Sequence, residues 1–144
     1  MSNKPADHRV PLIRSLVGVF LREGFEVEGA RGMEDYPVPP LFKNPTFGSM
    51  TPRRPDVIGF DLARRRIVFG LVRPMRSDLD SEDSLEEYNL FLDQNVDLGE
   101  RAAAVYVLMP SALIAEFTSI ITHYIHREYW NRIIPVAADT ASET

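Results

Sequence analysis

Asp56 and Arg73 bound a stretch, P-D-V-I-G-F-D-L-A-R-R-R-I-V-F-G-L-V-R, in which two apolar runs flank a basic turn. As strands, Asp56 to Leu62 and Arg66 to Arg73 predict an antiparallel hairpin, which carries the carboxylate and the guanidinium at matching depth. Such a pairing suits metal-dependent cleavage of a phosphodiester. Hard oxygens hold Mg²⁺ against a phosphate oxygen and a water, and a nearby cation meets the phosphate charge. Asp56 is able to bind the metal. Arg73 keeps positive charge beside the phosphate but, as a guanidinium that stays protonated in proteins, cannot serve as a base.

Other residues carry chemistry of lower specificity. Arg64, Arg65 and Arg66 in the turn, with Arg53, Arg54 and Arg76 flanking the hairpin, are candidate phosphate contacts, since arginine forks match phosphate geometry. Arginines in a hairpin turn are more often simply exposed. His123 and His126 sit three apart, a spacing compatible with shared metal binding or with a solvated helix end. Tyr124, Tyr129 and Trp130 offer rings for stacking on bases, or for packing the C-terminal elements. The chain holds no glycine-rich phosphate loop, nucleophile elbow or dinucleotide fingerprint.

The bulk properties narrow the class. A chain of 144 residues, 44% hydrophobic and 26% charged, fits one globular domain over 1–144. It contains no cysteine, which excludes disulfides and thiolate zinc sites and agrees with a cytoplasmic location. No apolar run is long enough for a membrane span, and the polar opening M-S-N-K-P-A-D-H predicts no secretory leader. A net charge of −5 argues against coating nucleic acid by charge alone. Its distribution is uneven: residues 53–76 carry seven arginines against Asp56 and Asp61, whereas 77–100 carry nine acids and no Lys or Arg. Neighbouring surfaces of opposite sign predict mutual neutralisation.

The elements that must position these groups follow from periodicity. Ile13, Leu16, Val17, Phe20 and Leu21 form an apolar stripe, predicting a helix over 8–23 with Asp7 as its cap, Pro11 in its first turn and Gly24 as its stop. Alternation over Phe25 to Ala30 predicts a strand. Residues 31–55 hold six prolines and predict an irregular loop, anchored by Tyr36, Leu41, Phe42 and Phe47, that covers a sheet edge or meets a second copy of the chain. Asp83 and Glu86 resemble a capping box for a helix over 82–94. Ala102 to Met109 reads as a strand buried on both faces. Ser111 is expected to cap a third helix with Leu113, Ile114, Phe117, Ile120, Ile121, Tyr124 and Ile125 inward. Arg132 to Ala137 makes a last strand, and 138–144 a loose tail. The expected fold is α/β, in the order α-β-β-β-α-β-α-β, with a mixed sheet between helices.

With Pro55-Asp56 opening the second strand and Gly70-Leu71-Val72-Arg73 closing the third, this order resembles the PD-(D/E)XK restriction-endonuclease-like superfamily. In that pattern an acid opens the second strand and an acid-any-Lys triplet ends the third. The resemblance implies a restriction-endonuclease-like sheet, a nuclease site at Asp56 and Arg73, Mg²⁺ as cofactor if active, and DNA or RNA as partner, with no organic cofactor. Here Leu71 replaces the acid of the triplet and offers no oxygen to a metal, and arginine replaces the lysine. Asp61 lies on the opposite face from Asp56. Glu87 on the second helix, with Glu86 beside it, is the remaining source of a second ligand, although its place next to the inward Tyr88 predicts exposure to solvent. The resemblance therefore implies a catalytically degenerate nuclease-like domain, retained for nucleic-acid binding or assembly and expected as a homodimer. The alternatives are an active Mg²⁺-dependent endonuclease using Asp56, Arg73 and Glu87, and a protein-interaction module built on the proline-rich loop and the acidic segment.

Overall fold

The computed structural model describes residues 9–44, 51–94 and 102–138. Along the chain run α1 (Val10–Arg22), β1 (Glu26–Ala30), β2 (Val57–Asp61), β3 (Arg66–Val72), α2 (Glu82–Leu92), β4 (Ala104–Met109), α3 (Ile114–Tyr124) and β5 (Ile133–Ala137). The strands form one five-stranded sheet in the order β1-β2-β3-β4-β5. β1–β2 and β2–β3 are antiparallel, and β3–β4 and β4–β5 are parallel. The protein is α/β, with a mixed sheet flanked by helices. Among the described residues no helix is long and apolar enough to cross a membrane. The expected Asp7 cap, Phe47 and the tail beyond Ala138 lie outside the described residues.

Two apolar layers follow from the alternation of β3 and β4. Val68, Val72, Ala104, Tyr106 and Leu108 meet α1 through Ile13, Leu16, Val17 and Phe20. Phe69, Leu71, Val105, Val107 and Met109 face α2 and α3 on the other side. Each large side chain removed from water contributes about 1.5–3 kcal/mol. Gly70 lets α1 approach: a Cβ there would stand 2.6 Å from Leu16 Cδ2. Pro11 is accommodated in the first turn of α1, and Gly24 stops the helix with φ of 87°.

Three local expectations are corrected. Ser81 caps α2 by accepting the Ser84 N–H at 3.1 Å, and Asp83 lies in the first turn instead of capping. Ser81 wins because it has the extended backbone an N-cap requires. Ser111 opens a short 3₁₀ turn, Ser111–Leu113, and α3 starts only at Ile114. Tyr124, expected inward, is 55% exposed at the last turn of α3. The loop after β1 is irregular where described, and is pinned by an antiparallel bridge between Phe42 and Arg53.

Candidate functional site

Asp56 lies just before β2, beside the end of β3. Its N–H donates to the Gly70 carbonyl at 3.0 Å, and its carboxylate Oδ2 accepts the Val72 N–H at 2.9 Å. The side chain thus acts as one more rung of the hairpin, which holds it 2% exposed. A carboxylate so placed requires counter-charge. Arg9 supplies it from the start of α1, 3.1 Å from Oδ2, and Arg31 supplies it from the end of β1, 3.3 Å from Oδ1.

Arg73 and Glu87 come together on the other side of the same strand end. The Arg73 guanidinium is 5% exposed and donates to Glu87 Oε1 at 2.7 Å, to the Tyr88 hydroxyl at 3.3 Å and to the Val72 carbonyl at 3.2 Å. Burial pulls the pKa of Arg73 down, but Tyr88 and Glu87 outweigh it, so the net shift is upward. Burial pushes the Tyr88 hydroxyl up, and that hydroxyl donates onward to the Leu79 carbonyl at 2.9 Å. Glu87 is therefore not the solvent-facing residue its sequence position predicts. The ion pair turns it inward, and Arg53 stands 3.7 Å from its second oxygen.

Arg9 also donates to the Val72 carbonyl, at 3.1 Å. A bonded path accordingly joins the two expected metal ligands: Asp56, Arg9, the Val72 carbonyl, Arg73, Glu87. Guanidinium groups occupy this path, each already bonded to a carboxylate. Leu71 is 1% exposed in the apolar layer beneath α2 and α3 and brings no oxygen. Among the described residues no group of three His, Cys, Asp or Glu could hold a metal. The donor set does not fit Mg²⁺: three of the four carboxylate oxygens of Asp56 and Glu87 already accept N–H groups, and the fourth faces Arg53 at 3.7 Å.

The expected phosphate-contacting arginines are dispersed. Arg53 bonds Asp83 at 3.1 Å and Glu86 at 2.8 Å on α2. Arg54 bonds the Pro39 carbonyl. Arg76 pairs with Asp80 at 3.1 Å and with Glu116. Arg64 and Arg66 lie at the opposite end of the hairpin from Asp56, both against the buried Asp61, whose carboxylate also accepts the Arg64 N–H at 3.1 Å. Arg65 occupies that turn with φ of 59°. Neutralisation between the basic and acidic segments is thus realised at Arg53, Arg73 and Arg76. His126 Nδ1 accepts the Glu128 N–H, and His123 packs edge-on against Tyr124. Tyr129 and Trp130 bond inward to Asp93 and to the Ile125 carbonyl.

Arg9 and Arg31 were not legible as site residues. A signal for Arg9 exists: a cation at a helix N-terminus opposes the macrodipole and implies a tertiary partner. No protein-family model, curated protein or solved structure matches this chain.

Proposed function

We propose that this protein is a nuclease-like domain of the restriction-endonuclease-like kind that does not cleave, and that it is retained for binding nucleic acid. The observation that carries the proposal is the occupation of both expected metal ligands by arginine: Arg9 and Arg31 on Asp56, Arg73 on Glu87. A half-buried guanidinium 3.1 Å from the buried Asp56 provides positive charge where catalysis would need a divalent ion. Such a centre retains attraction for phosphate and lacks the means to activate water. DNA and RNA incubated with the protein and Mg²⁺ or Mn²⁺ are expected to remain intact. Cleavage that Asp56→Ala abolishes would overturn the proposal in favour of the active endonuclease, in which Glu87 leaves Arg73 to serve as second ligand.

A second reading, assembly through the proline-rich loop, is favoured by Val38 and Leu41, which are 64% and 56% exposed there. Under that reading the domain forms a homodimer that Leu41→Asp dissociates, as measured by light scattering, and it has no salt-dependent affinity for DNA.

A further inference from the structure

We infer that the cavity between the start of α1 and the end of β1 is a binding site for a phosphomonoester, held by Arg9 and Arg31. This deepens the nucleic-acid reading by naming the group recognised. The cavity measures about 190 Å³ and is lined by Arg9, Val10, Ile13, Arg31, Gly32 and Asp56. Pockets that enclose whole ligands run to about 300–1,000 Å³, so this one takes a group at the end of a molecule.

Its charge selects the group. Two guanidinium ions face one carboxylate, which leaves a surplus cation. The amino end of α1 adds a partial positive charge of about 0.5, and among the described residues no side chain caps it. A phosphomonoester, at about −1.5 to −2 at neutral pH, matches that total better than a carboxylate or a phosphodiester does. Donors remain available. Arg31 is 45% exposed and spends one N–H on Asp56 at 3.3 Å. A guanidinium carries five N–H donors in a fork suited to phosphate. Gly32 keeps the mouth free of a side chain at φ of 75°, and Val10 and Ile13 supply an apolar wall.

The test is titration of the full chain with inorganic phosphate, set against sodium chloride at equal ionic strength, followed by thermal unfolding and calorimetry. Phosphate is expected to raise the unfolding temperature beyond chloride. Arg31→Gln is expected to weaken phosphate binding at least about tenfold, the equivalent of one charged hydrogen bond. Arg127→Gln, the same charge change on an exposed residue outside the cavity, leaves it unaltered. Equal effects of phosphate and chloride on the unsubstituted protein, or full phosphate binding in a folded Arg31→Gln, overturn the inference. Oligonucleotides of one sequence, with and without a 5′-phosphate, then identify the source. Tighter binding of the phosphorylated strand assigns the site to a nucleic-acid end. Phosphate binding with no affinity for either strand keeps the site, assigns it to a small phosphomonoester, and defeats the nucleic-acid reading.

Discussion

Glu87 shows how one side chain takes its role from its partner. With Arg73 at 2.7 Å it closes a pair whose members are 6% and 21% exposed. Removing one partner of a buried pair leaves an uncompensated charge, so Glu87→Gln should lower the unfolding free energy by about 3 kcal/mol in urea titrations. Replacing both, Arg73→Met with Glu87→Leu, should recover most of that loss, because the desolvation cost disappears with the charges. Tyr129 gives a pH signature. Its hydroxyl donates to Asp93 at 2.5 Å, and that bond, with burial, pushes its pKa from 10.0 up to about 12. The folded pKa is raised, so the contribution is present below the unfolded value and lost as pH rises through the folded one. Stability should fall between pH 10 and about 12, and Tyr129→Phe should flatten that limb in alkaline unfolding titrations.

At the scale of elements, glycines set how closely strands and helices meet. A Cβ on Gly59 would lie 2.6 Å from the Glu26 carbonyl on β1 and 3.1 Å from Phe20. Backbone cannot yield as a flexible side chain can. Gly59→Ala should therefore cost about 1–3 kcal/mol and loosen β1 from β2, seen as faster amide exchange at Glu26 and Val27. β5, at one edge of the sheet, carries Pro135, which withholds a ladder donor and discourages a further strand. The β2–β3 hairpin is pinned at both ends by an aspartate: Asp56 takes the Val72 N–H, and Asp61 takes the Arg64 N–H. Two carboxylates of one strand region thus serve as hairpin clamps, each with arginine as counter-ion.

Over the whole molecule, burial is greatest in the central strands. β4 is buried at every position, and β3 at its last five. Amide exchange should be slowest at Val105–Leu108 and Val68–Val72, tracking global unfolding, and much faster at Phe42 and Arg53, whose bridge is an isolated pair. Charge is also arranged globally. The arginine-rich hairpin and the acidic α2 lie against each other, so the net charge of −5 coexists with a local cation surplus at Arg9 and Arg31.

The α/β class, the hairpin, the burial of Ala104–Met109 and the apolar face of α1, apart from the 55% exposed Leu21, are legible in residue order alone. These depend on residue spacing and on short-range turn and proline chemistry, which act within a few residues. Residue identity also settles that Leu71 offers no oxygen to a metal, because no packing supplies an atom a side chain lacks. What surrounds Asp56 and Glu87 depends instead on contacts distant in sequence. Arg9 is separated from Asp56 by 47 positions, and Arg73 from Glu87 by 14. Only closure of the sheet and docking of α1 and α2 bring those charges within bonding distance. Coulomb attraction at the poorly solvated Asp56 and Arg73 then favours the ion pairs over open carboxylates.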